Sequence, residues 1–383
     1  MPPPIENPAT LNHIQALDGL RGLLALWVFL GHLANGVGYT NYVLAAHALA
    51  VDVFMILSGF LMVYVWKGSS NSPDQANTAL IRFYISRVFR IAPLYYALLL
   101  VCYLLLPTLA TMQDAVLRVI PPPWASEVMG YYPQTNWNFD SWNWLVLHLS
   151  FLFGVVPGME ATTPLPDWSL SLEMQFYLIF PALLFLIYKC SPMVIAMVAC
   201  IASFLSPVLF GLYLQPGLYA HFGQPSLLSY RLCAFVLGML VAMHIKRNVG
   251  HDPPQNRWFY FIIPTIICLL PLSKPVMLIY LIFVGIALGR LNFLANILSR
   301  KPFQYLGQVS YSFYLCHLLI LIPLNYLLLI NFGYAESPPW VRFWITVAIS
   351  LPLALALSSA LYYVIESPSI KLGRSLLTKI KGN

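Results

Sequence analysis

The chain has 383 residues, of which 60% are hydrophobic and only 9% charged, with a formal net charge of +7. So apolar a composition exceeds what a soluble core of this size requires, and it places the chain in a bilayer as an all-α polytopic protein. The 20 Lys and Arg residues are scattered among the segments between apolar runs instead of forming one patch, which argues against nucleic acid as a partner and makes the charge a reporter of topology.

The segment Met1 to His13 contains no Lys or Arg and so lacks the basic start of a secretory signal peptide; the first apolar run reads as a retained helix. Windows of about 20 apolar residues predict about ten transmembrane helices, at 14–36, 44–66, 91–112, 168–189, 193–214, 226–246, 256–272, 275–292, 306–330 and 340–364. With the N-terminus in the cytoplasm, Arg21, Lys67, Arg82, Arg87, Arg90 and most later basic residues collect on the inner side. Arg118, Lys274 and Arg342 fall outside, a bias that puts both termini in the cytoplasm. Counting Leu145–Val156 as a span would invert every later loop against that bias, so it reads as an outer-face or re-entrant helix. The stretch 107–167, rich in Pro, Trp, Tyr and Asn, then forms one extracytoplasmic excursion within a single membrane domain covering 1–383; its Trp residues equally suit an interfacial aromatic belt. A Gly285–x3–Gly289 pair offers a close helix contact. The cysteines all lie in apolar stretches without the spacing of a metal site, so packing is their expected role and no metal is expected.

Polar side chains inside a bilayer are costly and mark function by default. His32, Asp52, Glu173 and Arg231 come to similar depth in the outer half of four different spans, where they either share one polar cavity or, for Glu173 and Arg231, neutralise each other. Arg21 and His32 are eleven residues apart. At 100° per residue that spacing returns them to one helix face, about 16 Å apart along the axis. Arg21, together with Arg82, Arg87 and Arg90 at the same level, suits an entrance for a phosphorylated donor, because the planar guanidinium makes paired hydrogen bonds to phosphate; topology determination accounts for the same arginines equally well. His32 suits a general base that takes the proton of a hydroxyl as it attacks a carbonyl, with Asp52 or Glu173 orienting the ring. Tyr314 and His317, one turn apart, either hold helices together or line a substrate path. The same buried groups would also serve a proton-coupled transporter of a small polar substrate or glycan, or a non-catalytic scaffold; inverted repeats would favour the transporter, and none is visible.

Five segments in order, LDGLRGLLALWVFLGH (17–32), AVDVFMILSGFLM (50–62), FYISRVFRIAPLYY (83–96), DWSLSLEMQFYLIFP (167–181) and LGQVSYSFYLCHLLI (306–320), resemble the acyltransferase-3 family of integral membrane acyltransferases, and YYVIESPSIKLGR (362–374) resembles its closing span. The resemblance implies an O-acetyltransferase-like enzyme that moves an acyl group, most often acetyl, from acetyl-CoA or another acyl-CoA to a hydroxyl of a carbohydrate or glycolipid acceptor. It also implies a multi-pass protein of the bacterial inner membrane, in contact with membrane lipids. The family's Arg/Lys-x10-His signature falls on Arg21 and His32, its Arg-x-x-Arg motif on Arg87 and Arg90, its Ser-Gly-Phe-Leu run on 58–61, and its acidic residue on Glu173. The resemblance and the depth of the polar residues together make His32, Glu173 and Asp52 the catalytic candidates, Arg21, Arg87 and Arg90 the donor-binding ones, and Arg231, Tyr314 and His317 the acceptor-binding ones, with Asp52, Arg231, Tyr314 and His317 resting on depth and spacing alone. Two departures, Glu173–Met174 for Glu-Glu and Glu366–Ser367–Pro368 for Glu-Arg-Pro, bear on the acceptor more than on the chemistry. No appended esterase-like domain is expected, so transfer would occur at the membrane domain itself. The acceptor, the oligomeric state, and the choice between direct transfer and an acyl-enzyme stay open.

Overall fold

The computed structural model describes residues 8–66, 73–121, 137, 141–212, 215, 217–248 and 259–381. Among them the only extended pairing is a single bridge between Leu212 and Gln215. All else is helix and connection, as expected where lipid satisfies no backbone N–H or C=O. The helices are, in chain order, α1 (Pro8–Gly36), α2 (Tyr42–Ala45), α3 (Leu49–Val65), α4 (Pro73–Val119), α5 (Trp142–Leu149), α6 (Trp168–Lys189), α7 (Pro192–Phe210), α8 (Leu228–Asn248), α9 (Phe259–Leu269), α10 (Lys274–Ala287), α11 (Asn292–Leu298), α12 (Lys301–Tyr326), α13 (Pro339–Leu361) and α14 (Ser367–Lys381). A turn of π-helix over Tyr362–Glu366 joins α13 to α14.

Each of the ten predicted spans has a helical counterpart. Eight helical stretches among the described residues are long and apolar enough to cross a membrane, α10 and α11 make a ninth if taken as one span bent by 91°, and α9 is a shorter apolar helix. Along α7 the side chains of Val194, Val198, Ile201, Phe204, Leu205 and Val208 are exposed, an apolar stripe that suits lipid. The protein is thus an all-α, multi-pass membrane protein.

Two elements differ from the sequence reading in extent. The predicted span at 91–112 lies inside a 47-residue helix that runs through Pro93 and Pro107. Proline lacks the N–H that would bond the carbonyl one turn back, yet α4 continues past both prolines, as membrane helices tolerate, and the Pro107 carbonyl also accepts from Thr111 Oγ1 at 2.8 Å. Accordingly 107–119, the first part of the presumed excursion, continues α4, while 122–136 and 138–140 lie outside the described residues. The Leu145–Val156 run contains α5, with eight residues and a length of about 12 Å, too short to cross a bilayer.

Glycines bring the central helices together. A Cβ on Gly238 of α8 would lie 1.9 Å from the Ile56 carbonyl oxygen of α3, and one on Gly59 of α3 would lie 2.0 Å from that of Phe235 in α8. Gly307 of α12 approaches the Asp18 carbonyl of α1 in the same way, at 2.2 Å. Small residues that admit backbone-to-backbone contact are the usual device where helices gain no hydrophobic free energy from leaving lipid. Gly285 and Gly289 serve a different end: Gly285 packs on Leu291 and Gly289 has φ of 70°, so this pair makes the bend between α10 and α11.

Candidate active site

Helices α1, α3, α4, α6 and α12 enclose a cavity of about 240 Å³. Arg21 enters it from α1, and Arg87 and Arg90, one turn apart, from α4. Arg21 Nη2 donates to Asp18 Oδ1 at 2.8 Å. The Nε–H groups of Arg21 and Arg87 are buried and find no acceptor within the protein. The Arg87 guanidinium lies 5.7 Å from the Tyr177 ring centre and 5.8 Å from that of Phe83, which fixes its plane. A buried donor left unpaired costs about 1–3 kcal/mol, so these two Nε–H groups are unsatisfied cationic donors on residues of the cavity wall.

Carboxylates balance these cations. Glu173 Oε1 accepts from Ser58 Oγ at 3.0 Å and from the Tyr177 hydroxyl. Glu366, at the end of the π-turn, is buried, accepts from Ser312 Oγ at 2.7 Å and faces the charges of Arg90 and Arg21. A π-turn resets the phase of the following residues, and here it turns a carboxylate inward at the level of the arginines.

At the other end, Tyr314 lines the cavity and pairs its hydroxyl with Ser169 Oγ at 2.8 Å. The Tyr314 carbonyl accepts from His317 Nδ1 at 2.7 Å. The His317 ring centre is 5.2 Å from that of His32, which is in turn 4.8 Å from that of His47. His32 is not on the cavity wall; it is reached from Tyr314 through His317, with ring centres 6.1 Å and then 5.2 Å apart. Gly31 makes room for this cluster, because a Cβ there would lie 2.3 Å from the His47 ring. Among the described residues, no group of three or more His, Cys, Asp or Glu is arranged to hold a metal ion.

Of the residues singled out in the sequence, Arg21, Arg87, Arg90, Glu173 and Tyr314 share the cavity, while His317 and His32 adjoin it. Asp52 and Arg231 stand apart from its wall as a pair, with Arg231 Nε 2.8 Å from Asp52 Oδ1, although that contact lacks the alignment of a hydrogen bond. Arg231 is therefore paired with Asp52 and not with Glu173. Arg82 is not on the wall.

A second polar cluster ties α5 to α4 and α6. The Tyr95 hydroxyl lies 2.8 Å from His148 Nδ1 and 3.2 Å from Asp167 Oδ2, and Thr163 Oγ1 donates to that same carboxylate oxygen at 3.0 Å. His148 is stacked between Trp144 and Phe153, and its Nε2 meets Thr162 Oγ1 at 3.1 Å. Burial pushes Asp167 up to about 7 and His148 down to about 3, so both are neutral at the low end of the physiological range. A consistent chain follows, in which Tyr95 donates to His148 Nδ1 and His148 Nε2–H donates to Thr162.

Sequence reasoning met Glu366 only as part of a departure from the family pattern, and passed over Tyr177, His47 and this second cluster. Tyr177, four residues after Glu173, was open to the helical-neighbour rule. Asp167, in the same segment and just before α6, was open to the rule that a buried carboxylate needs a partner. The inward turn of Glu366 and the approach of His47 depend on tertiary packing and leave no pattern in one sequence.

The model of the acyltransferase-3 family, described as an acyltransferase domain, matches residues 14–362. The chain is 24% identical to acyltransferase MdmB of Streptomyces mycarofaciens, over 95% of this chain and 94% of that one. It is 23% identical to the putative peptidoglycan O-acetyltransferase YrhL of Bacillus subtilis (strain 168), over 81% of this chain and 49% of that protein. To O-acetyltransferase OatA of Staphylococcus aureus (strain NCTC 8325 / PS 47) it is 23% identical, over 96% of this chain and 59% of the relative. It thus spans about half the length of YrhL and somewhat more of OatA. No solved structure matches the chain. With the family model covering nearly its whole length, and the Arg21–His32 helix and the arginine cavity at its centre, the chain belongs to the acyltransferase-3 family of integral membrane acyltransferases.

Proposed function

We propose that this protein is a membrane-embedded O-acyltransferase that takes an acyl group, most often acetyl, from coenzyme A and delivers it to a hydroxyl of a carbohydrate or lipid-linked glycan. The observation that carries this reading is the pair of buried, unpaired guanidinium donors on one cavity, joined by helix α1 to a histidine about 16 Å further along the same face. Phosphates of the donor would bind at Arg21, Arg87 and Arg90, and the narrow arm carrying the thioester would extend past Tyr314 toward His32. Names of the relatives support the acceptor class, since YrhL and OatA are called O-acetyltransferases and YrhL is assigned to peptidoglycan.

The chemistry needs one base and no redox partner. Neutral His32 takes the proton from the acceptor hydroxyl as its oxygen attacks the thioester carbonyl; the tetrahedral intermediate collapses, the C–S bond breaks, and the protonated ring returns the proton to the departing sulfur as coenzyme A thiol. An alternative order, in which the His32 ring is acylated first, is distinguished by ping-pong kinetics. The positive-inside distribution supports donor entry from the cytoplasm and acceptor access from the opposite face.

Equilibrium binding of radiolabelled acetyl-CoA to the full chain in lipid nanodiscs tests the donor. Binding that S-acetylpantetheine, which lacks the nucleotide phosphates, fails to displace at equal concentration is the expected result. Absence of acetyl-CoA binding, or equal displacement by S-acetylpantetheine, contradicts the phosphate role of the arginines.

A further inference from the structure

A histidine base ordinarily leans on a carboxylate that fixes its tautomer and steadies the imidazolium formed during the reaction. His32 has no such partner: Asp52 faces Arg231, and Glu173 is held by Ser58 and Tyr177. Among the described residues, the titratable groups whose charge bears on His32 are His317, from α12, and His47, from the turn at Ala46–Ala48. Both rings hold Nδ1 on a backbone carbonyl, His47 on that of Leu44 at 2.8 Å and His317 on that of Tyr314 at 2.7 Å. They differ in that His317 is wholly buried and its Nε2 is buried without a hydrogen-bond partner. A carbonyl accepts only from N–H, so His317 carries its proton on Nδ1 and presents a bare lone pair at Nε2. That lone pair is an acceptor enclosed in apolar surroundings beside the ring that must become a cation.

We propose that His317 is the positioning partner of His32, accepting a hydrogen bond at Nε2 from the protonated His32 ring and so taking the place of the missing carboxylate. This rests on His32 being the base. A ring nitrogen lies about 1.15 Å from its ring centre, so rings with centres 5.2 Å apart can turn to bring two nitrogens to about 2.9 Å, a normal hydrogen-bond length. No hydrogen bond joins the rings in the structure, and the proposed one forms when protonation gives the His32 ring a second N–H to donate. The proton balance is unchanged: it arrives from the acceptor hydroxyl, is shared between His32 and His317 while the tetrahedral intermediate exists, and leaves on the coenzyme A thiol. Because the Nδ1 bond uses the carbonyl of Tyr314, whose side chain lines the donor cavity, the same helix turn that meets the donor sets the orientation of His317.

The test follows the His32 ring directly and needs no acceptor. Full-length protein carrying 13C-labelled histidine is titrated in nanodiscs by NMR, with the His32 signal assigned by its loss in His32→Ala. In His317→Leu the His32 midpoint is expected to fall by about one pH unit, the size of one charge-assisted hydrogen bond, and in His317→Gln, which keeps an acceptor oxygen, by less. If His317 were only a like-charged neighbour, its removal would raise the midpoint; a rise, or no change, overturns the proposal. A fall seen in His47→Leu and absent from His317→Leu overturns it in favour of His47. Should His317→Leu fail to fold, the Gln variant carries the same sign test. Loss of transfer in His32→Ala with an unmoved midpoint in both His317 variants leaves the base in place and removes only the partner, whereas retained transfer in His32→Ala removes the reading on which the proposal stands.

Discussion

Replacing Arg87 by Lys keeps a positive charge on the cavity wall and removes everything specific to guanidinium. Two ring contacts, with Phe83 and Tyr177, hold the Arg87 plane and are worth about 0.5–1 kcal/mol each where exposed and more when desolvated. The planar fork also makes two parallel bonds to a phosphate where an ammonium makes a single point contact, a difference of about 1 kcal/mol or more. The ring contacts are made with and without donor and so hold the fork in place, while the lost phosphate bond sets the expected loss at about 1 kcal/mol or somewhat more, about a 5- to 10-fold rise in KM for acetyl-CoA, with kcat within a few-fold of wild type. Initial rates of coenzyme A thiol release, measured at saturating acceptor fraction and matched folded yield, provide the assay. A KM unchanged by Arg87→Lys, or a collapse of kcat with KM intact, refutes the assignment of Arg87 to the donor phosphates.

Other consequences concern stability. Gly238→Ala sets a Cβ 1.9 Å from a backbone oxygen of α3 that cannot yield cheaply, so the melting temperature in detergent is expected to drop by several degrees; an unchanged melt would mean α3 and α8 separate easily. Breaking the Asp52–Arg231 pair leaves a charge uncompensated, so Asp52→Leu and Arg231→Leu should each lower stability more than the double variant does, and additive losses in that cycle would deny the pairing. The pH dependence follows from the second cluster. Asp167, raised from 3.8 to about 7, contributes stability that is complete below its unfolded value and lost as pH rises through about 7. His148, lowered from 6.5 to about 3, contributes stability that is complete above 6.5 and lost as pH falls through about 3. Between about pH 4 and 6.5 the two slopes oppose and cancel, so denaturation midpoints of Asp167→Asn should rise with pH in that window while those of wild type stay level; parallel curves would contradict the cluster.

The spans were legible because a run of about 20 apolar residues has few fates besides crossing a bilayer, and the run at 145–156 was read as something other than a span from the charges that follow it, which agrees with the eight residues of α5. Helix α4 was legible only in part, since Pro107 looks like an end in water and is tolerated inside a membrane helix. Within the candidate site, residues sharing one helix were readable from periodicity: Arg21 with His32, Arg87 with Arg90, Tyr314 with His317. Partners across helices were not, because depth alone cannot say which way a side chain faces. Hence Asp52 and Arg231 were both noticed while their pairing was not, and His32 was given a carboxylate neighbour where the structure brings up two imidazoles.

Acyl transfer by purified wild-type protein and His32→Ala, followed with radiolabelled acetyl-CoA and membrane glycan and lipid fractions, tests the central claim most directly. Removal of a general base typically costs about 10²–10⁴-fold, so label should pass to an acceptor in wild type and fall by at least that lower factor in the variant, with acetyl-CoA binding unchanged. Equal transfer by both proteins, or acetyl-CoA left unconsumed by wild type with every fraction, would contradict the account.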